Sequence, residues 1–156
     1  MRRKTQISVI GDSNPTLEVL HWAEDVGRMV AENDGVLICG GLSGVMEAAA
    51  RGAVEAGGLT IGVLPSYDAT TANPSITMTI ATGLSHARNA IVVASGDAVI
   101  ALPGSYGTLS EVALALTLGK PVFSVKSWED VRGVEVTDSP AAAVALALAA
   151  AHRLQQ

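Results

Sequence analysis

Short apolar runs alternate along this chain with longer segments in which apolar side chains recur every three or four residues. The runs predict six strands, at Gln6–Gly11, Val36–Cys39, Leu59–Leu64, Ile76–Ile80, Ala98–Leu102 and Pro121–Val125. The periodic segments predict five helices, the first opened by Pro15 and stopped by Asn33–Gly35, and the others at Val45–Ala56, Ser85–Ser95, Gly107–Leu118 and Pro140–Ala151. Strands and helices alternating at this spacing favour right-handed crossovers. The predicted fold class is therefore α/β, a doubly wound, mainly parallel sheet with helices on both faces.

Three of the predicted strands end in loops of glycine and short polar residues, with the sequences GDSN, CGGLSG and PGSYG. The carboxyl ends of parallel strands meet at one edge of a doubly wound sheet, so these loops are expected to lie together. PGSYG leads into a helix that opens with Gly107 and Thr108, and the first amides of such a helix favour an anion such as phosphate. Glu111 follows about one helical turn later. An anion site beside a carboxylate indicates chemistry on a phosphorylated small molecule.

Composition limits the classes of protein that fit this pattern. The 156 residues are 49 % hydrophobic with a mean hydropathy of +0.38, and no repeat or linker divides them, which predicts a single domain over 1–156. The net charge of −5 argues against a nucleic-acid partner, and the basic cluster Arg2–Lys4 is expected to be a solvated tail. Cys39 is the single cysteine, which favours a reducing cytoplasm. The apolar run Pro140–Ala151 is too short to span a bilayer, so no membrane partner is expected.

The CGGLSG loop has two interpretations, a tight turn without a ligand or one wall of a binding site. It lacks the GK[ST] ending of a Walker loop and does not match GxGxxG, so triphosphatase and dinucleotide-binding hypotheses lose support. The polar segment Pro65–Pro74 is expected to be a mobile surface loop, and loops of this kind often cover ligands. The candidate binding residues come from both glycine loops and are Gly40, Gly41, Ser43, Gly44, Gly104, Ser105, Tyr106, Gly107 and Thr108.

Arg88 and Thr108 have alternative roles. An arginine in the first turn of a helix is not favoured by the helix dipole, so Arg88 is either held by a carboxylate or phosphate or packed with its stem on the helix surface. Thr108 either caps its helix or donates its hydroxyl to a phosphate oxygen. His86 is expected to be an exposed residue at the start of a helix. His21 and His152 have no partner at metal-ligand spacing, so no metal site is predicted. No bound cofactor is predicted either.

The segments GDSN, CGGLSGVMEAAARGA, ATGLSHARNAIVVASGDAVIALPGSYGTLSE and GKPV together resemble the LOG (Lonely Guy) family, whose bacterial relatives were once labelled possible lysine decarboxylases. PGSYGTLSE is similar to the family signature PGGxGTxxE. The resemblance implies a Rossmann-like fold, usually dimeric. It also implies hydrolysis of the N-glycosidic bond of AMP or of cytokinin riboside 5'-monophosphates, which gives free base and ribose 5-phosphate.

Carried over residue by residue, the resemblance implies that Arg88 and Glu111 are catalytic, with Arg88 holding Glu111 ionised and in place. Two positions depart from the family pattern. Asn89 stands where the enzymes have lysine after the arginine, and Ser105 replaces the second glycine of the signature. The HARN and GVMEA segments are more similar to the branch that includes the molybdenum cofactor carrier proteins, which bind rather than hydrolyse.

The first hypothesis is a phosphoribohydrolase, and the alternative is a non-catalytic carrier of a phosphorylated ligand such as molybdenum cofactor. A scaffold whose alanine-rich helices serve assembly only is a third interpretation. A pyridoxal-dependent decarboxylase is not supported, because none of the three lysines falls on the predicted ligand loops. Alanine-rich helices with few charges suit packing against another subunit, so a homodimer or homotetramer is expected.

Overall fold

Seven parallel strands form the single sheet of this protein, in a computed structural model that describes residues 3–154. The sheet order is β4-β3-β2-β1-β5-β6-β7, and every neighbouring pair is parallel. The strands are β1 Gln6–Ile10, β2 Val36–Cys39, β3 Leu59–Leu64, β4 Met78–Ala81, β5 Ala98–Ala101, β6 Val122–Val125 and β7 Val134–Thr137. The predicted doubly wound α/β fold is confirmed.

Five helices cover the two faces of the sheet, namely α1 Leu17–Glu32, α2 Val45–Glu55, α3 Asn89–Ser95, α4 Tyr106–Thr117 and α5 Pro140–Leu154. Helices α1, α2 and α5 pack on one face around Ile7, Leu37 and Ile100. Helices α3 and α4 pack on the other around Ile38 and Val99. The inner strands thus send alternate side chains into two apolar layers, as a sheet buried on both sides requires.

Small residues let α1 and α2 approach each other closely. A Cβ on Gly27 would lie 1.8 Å from the carbonyl oxygen of Ala49, and one on Gly52 would lie 2.0 Å from that of Glu24. The two helices therefore touch backbone to backbone, and Arg51 joins them by an ion pair with Glu24 at 3.0 Å. Close contact of this kind lets small side chains fill a core that has few aromatic residues.

Two strand predictions differ from the structure at the edges of the sheet. The predicted strand Ile76–Ile80 begins two residues late, because Thr60 and Thr77 replace the ladder there with side-chain bonds: each backbone N–H donates to the other's hydroxyl oxygen at 2.9 Å. Strand β7 was not predicted, since its four residues VEVT mix apolar and polar side chains at a mostly exposed edge. Edge strands of this kind have a weak apolar signal.

The predicted helix Ser85–Ser95 divides into a 3₁₀ turn over Ser85–Arg88 followed by α3. Ser85 has a left-handed backbone with φ of 53°, and the N–H of Ala87 donates to the oxygen of Leu84 three residues earlier. At the other end of the chain, α5 continues three residues past the predicted Ala151. His152 and Arg153 lie in its last turn, where positive charge favours the helix dipole.

Two surface predictions also change. The segment Pro65–Pro74, expected to be mobile, contains a 3₁₀ turn and is tied to the loop after β2, since Asn73 donates from its backbone N–H to Gly41 and from Nδ2 to Leu42. Within the expected solvated tail, Arg3 pairs with Asp97 at 2.5 Å and Lys4 pairs with an aspartate of the α1–β2 turn; Arg2 lies outside the described residues. No helix within residues 3–154 has the length and apolar composition needed to cross a membrane.

The strand order places the ligand edge. From β1 the chain adds β2, β3 and β4 on one side and then returns to add β5, β6 and β7 on the other, so the order reverses between β1 and β5. Crevices beyond the carboxyl ends of strands at such a reversal are the usual ligand sites of open α/β sheets. The GDSN loop follows β1 and the PGSYG turn follows β5, on the two sides of this crevice.

Candidate functional site

A cavity of about 350 Å³ lies at the reversal of strand order. All three predicted loops contribute to its wall, together with the 3₁₀ turn before α3 and the first turns of α4. Its volume falls at the lower end of the range of small-molecule sites. The predicted convergence of the three loops is therefore what the structure contains.

Backbone hydrogen bonds through Asp12 hold the three loops together. Its N–H donates to the oxygen of Pro103 at 3.1 Å, and its own oxygen accepts from the N–H of Val45 at 2.9 Å. Gly44, with φ of 71°, permits the second contact, because a Cβ there would lie 2.4 Å from the Asp12 oxygen. The GDSN loop thus fixes the spacing of the two glycine loops.

The PGSYG turn presents backbone amides at the start of α4. Ser105 is the N-cap residue, and its side chain makes no capping bond. The first helical bond from this turn runs from Leu109 N–H to Ser105 oxygen, so the amides of Tyr106, Gly107 and Thr108 have no acceptor within the helix. A Cβ on Gly104 would lie 2.2 Å from Oγ1 of Thr108, so glycine is required there.

Six of the eleven predicted site residues line the cavity: Gly40, Arg88, Ser105, Gly107, Thr108 and Glu111. Thr108 is not the helix cap, and its buried side chain faces the cavity wall. Gly41, Ser43, Gly44, Gly104 and Tyr106 lie outside the lining.

Those five residues have contacts of their own. Gly41 packs against Leu64, and Ser43 donates its hydroxyl to the oxygen of Ser13 at 3.4 Å. Tyr106 is 89 % exposed. The CGGLSG loop therefore mainly supports the fold. Of its four predicted site residues, Gly40 alone lines the cavity.

Sequence reasoning missed Asp12, Ser13, Asn89 and His86 as cavity residues. Asp12 and Ser13 had a signal, because they belong to the GDSN loop at the carboxyl end of β1. His86, taken for an exposed helix-start residue, is exposed and also lines the cavity. Asn89 could not be assigned from spacing alone, because the 3₁₀ turn before it sets where its side chain lies.

Arg88 is buried, and three of its donors are used by the protein. Nε donates to the oxygen of Val63 at 2.9 Å, Nη2 to that of Gly40 at 3.4 Å, and Nη1 to Oδ1 of Asn89. Burial lowers the pKa of the guanidinium, and the nearby Glu111 carboxyl opposes this. Arg88 is therefore not a surface arginine, and the ends of β2 and β3 hold it.

Glu111 is the second buried ionisable group of the cavity. Its side chain is 8 % exposed and makes no hydrogen bond within residues 3–154. Burial raises the pKa of the Glu111 carboxyl to about 7, and the Arg88 charge offsets only part of this effect. The Arg88 charge favours the ionised form of Glu111 but does not cancel the effect of burial on its pKa, and no ion pair within 4 Å joins the two described side chains. That Arg88 holds Glu111 ionised and in place stays a prediction.

No lysine reaches the cavity. Lys4 pairs with Asp34, Lys120 donates to the oxygen of Gly96 at 2.6 Å, and the amine of Lys126 lies over the Trp22 ring at 5.5 Å. The cavity therefore offers no lysine amine that could form a Schiff base with a pyridoxal cofactor. Among residues 3–154 there is also no group of three or more His, Cys, Asp or Glu side chains placed to hold a metal ion.

The sheet and the cavity define a Rossmann-like protein with a cavity of small-molecule size at the switch point. The model of the SLOG cluster4 family matches residues 4–152, and the chain belongs to that family. The resemblance to LOG proteins seen in the sequence is thereby confirmed.

Two solved structures and one curated relative show where the chain lies within this group. It is similar to the molybdenum cofactor binding protein of Rippkaea orientalis, with 38 % identity, a TM-score of 0.90, and coverage of 96 % of this chain and 98 % of the other. It is similar to the molybdenum cofactor carrier protein of Chlamydomonas reinhardtii, with 34 % identity, a TM-score of 0.85 and coverage of 94 % and 98 %. A cytokinin riboside 5'-monophosphate phosphoribohydrolase of Mycobacterium tuberculosis is 33 % identical over 132 residues, which are 78 % of this chain and 71 % of that one.

Proposed function

We propose that this protein binds a phosphate-bearing heterocyclic molecule and carries it without cleaving it. The ligand is of the size of a nucleoside monophosphate or a pterin phosphate. Its phosphate lies against the amides of Gly107 and Thr108, where the positive end of the α4 dipole adds attraction. The Thr108 hydroxyl, which lines the cavity, donates a further bond.

The observation that supports a carrier is that no ion pair within 4 Å joins the described side chains of Arg88 and Glu111. A glycosidase mechanism of the kind implied by the resemblance needs an ionised carboxylate beside the positive charge that develops on the ribose. Here the hydrogen bonds of Arg88 go to two backbone carbonyls and to Asn89, and none goes to Glu111. The similarity to molybdenum cofactor proteins over nearly the whole of both chains supports the same conclusion.

A phosphoribohydrolase is the second candidate, and Glu111 itself favours it. A buried carboxyl with a pKa near the working pH is suited to transfer a proton, and it would protonate the departing base as a general acid. The similarity to the Mycobacterium tuberculosis enzyme belongs with this candidate. The two functions share the phosphate site and differ in whether the glycosidic bond breaks.

Base release separates the two functions. The purified protein is incubated with AMP and with isopentenyladenosine monophosphate, free base is measured by chromatography, and binding of AMP is measured by calorimetry. A carrier binds AMP and releases no base, and fresh preparations show pterin absorbance. Release of base that Glu111→Gln abolishes while AMP still binds would replace the carrier with the hydrolase.

A matched pair of threonines on α4 tests the phosphate site. Thr108→Val removes a hydroxyl at the cavity, and we expect it to weaken AMP binding by about tenfold, as loss of a bond to a charged group does. Thr117→Val removes a hydroxyl that donates to Ala113 on the exposed side of the same helix and should leave binding unchanged. Equal affinities of the two variants would contradict the phosphate site.

A further inference from the structure

A chain of hydrogen bonds joins Arg88 to the first turn of α4 through Asn89 and Ser110. Nη1 of Arg88 donates to Oδ1 of Asn89, Nδ2 of Asn89 donates to Oγ of Ser110 at 3.1 Å, and Oγ of Ser110 donates to the oxygen of Gly107 at 2.7 Å. Asn89 is 4 % exposed. The guanidinium has only donors, so the amide oxygen must face Arg88 and its NH₂ must face Ser110.

Arg88 also reaches two other elements. It donates to the carbonyl of Val63 in β3 and to that of Gly40 after β2, so one side chain links three parts of the cavity wall. A guanidinium has five N–H donors, and these contacts account for three of them. The other two N–H groups of Arg88 have no acceptor within residues 3–154. Because Arg88 lines the cavity, these two donors are available to a ligand there.

We infer that Asn89 and Ser110 are positioning residues, which hold Arg88 so that its two remaining donors meet the ligand phosphate together with the amides of Gly107 and Thr108. This inference rests on the proposed phosphate site. Gly107 connects the two sets of donors, because its amide is at the anion end of α4 while its carbonyl accepts from Ser110. Displacement of Asn89 would free the guanidinium to turn toward Glu111.

Variants at both positions test the inference, with AMP as the probe. We expect Asn89→Leu to weaken AMP binding by about tenfold and Ser110→Ala by about threefold, in line with the loss of a charged and a neutral hydrogen bond. Ser110→Thr keeps the hydroxyl and should restore binding. The matched control is Ser95→Ala, which removes a serine that donates to a backbone carbonyl of α3, away from the cavity.

Two ligand-free measurements separate a positioning role from a merely structural one. In Asn89→Leu, hydrogen exchange at Nε–H of Arg88 should become faster. The pKa of the Glu111 carboxyl, followed by ¹³C NMR, should fall below about 7 as the guanidinium approaches it. Failure of the wild-type protein to bind AMP would count against the proposed function, whereas unchanged exchange and an unchanged Glu111 titration in this variant would overturn the positioning role. Ser110 is exposed, so its variants provide the same test if Asn89→Leu does not fold.

Discussion

Replacement of Glu111 by glutamine should change how stability depends on pH. Burial raises the pKa of Glu111 to about 7 in the folded chain, against an ordinary value of 4.5. The folded state therefore holds this proton more tightly than the unfolded state does. Below pH 4.5 the carboxyl is neutral in both states and has no cost. As pH rises toward 7, the unfolded chain releases the proton first, so folding becomes less favourable.

The size of the effect follows from the same values. A tenfold change in an ionisation constant corresponds to about 1.4 kcal/mol, so the buried carboxyl costs about 1 kcal/mol at pH 5 and about 3 kcal/mol above pH 8. Glutamine has the same shape and no charge, and Glu111 makes no hydrogen bond within residues 3–154 that the substitution would remove. Any cost of burying the new amide is the same at every pH. The free energy of unfolding of Glu111→Gln minus that of the wild type should therefore rise by about 2 kcal/mol between pH 5 and pH 8.5.

Urea denaturation of both proteins at half-unit steps of pH measures this difference. Other groups that titrate in this range are present in both proteins, so the difference between the two curves isolates Glu111. Glu135→Gln, at an exposed position of β7, is the control and should follow the wild type. A Glu111→Gln difference that stays constant within about 0.5 kcal/mol from pH 5 to pH 8.5 would refute the reasoning.

Three further predictions concern packing and burial. Gly27→Ala should lower stability by about 2 kcal/mol, because its Cβ would meet the oxygen of Ala49. Gly107→Ala is the control and should not destabilise the protein, because its Cβ would meet nothing within 4 Å. Thermal unfolding of the two variants measures the difference. Thr60→Val should cost about 1 kcal/mol in urea denaturation, because it removes the buried hydroxyl that donates to the Ser75 carbonyl and accepts from the Thr77 N–H, and full stability would contradict this. Burial raises the pKa of the Cys39 thiol to about 12, so it should not react with a disulfide reagent in the native protein and should react fully in urea.

The regular part of the fold could be predicted from the sequence because the inner strands β1, β2, β5 and β6 are short, mostly apolar runs buried on both faces. Such runs are visible without knowledge of their neighbours. Strand β7 and the start of β4 depend instead on hydrogen bonds to residues distant in sequence. Thr137 donates its hydroxyl to the oxygen of Ser124 at β7, and Thr77 donates its N–H to the hydroxyl of Thr60 before β4. The expected homodimer or homotetramer and the cytoplasmic location stay predictions.

The candidate site was predictable in position and only partly in detail. Parallel topology alone brings the ends of β1, β2 and β5 to one edge, which located the loops. The direction of the Arg88 side chain depends on the 3₁₀ turn before α3, and its partners Val63 and Gly40 come from two other elements. The PGSYGTLSE segment identifies Glu111 from the sequence, but the pKa of its carboxyl depends on how deeply the fold buries it.

Glu111 connects the stability of the fold with the choice between the two functions. A buried carboxyl that makes no hydrogen bond within the described chain destabilises the native state at neutral pH, so packing alone does not account for it. In its neutral form it is a hydrogen-bond donor that tolerates a phosphate nearby, which suits a carrier. In a hydrolase the same proton would pass to the departing base. The protonation of Glu111 with AMP bound, followed by ¹³C NMR from pH 6 to pH 8, therefore distinguishes a carboxyl that only donates a hydrogen bond to the ligand from one whose proton passes to the base and is restored from the attacking water in each turnover.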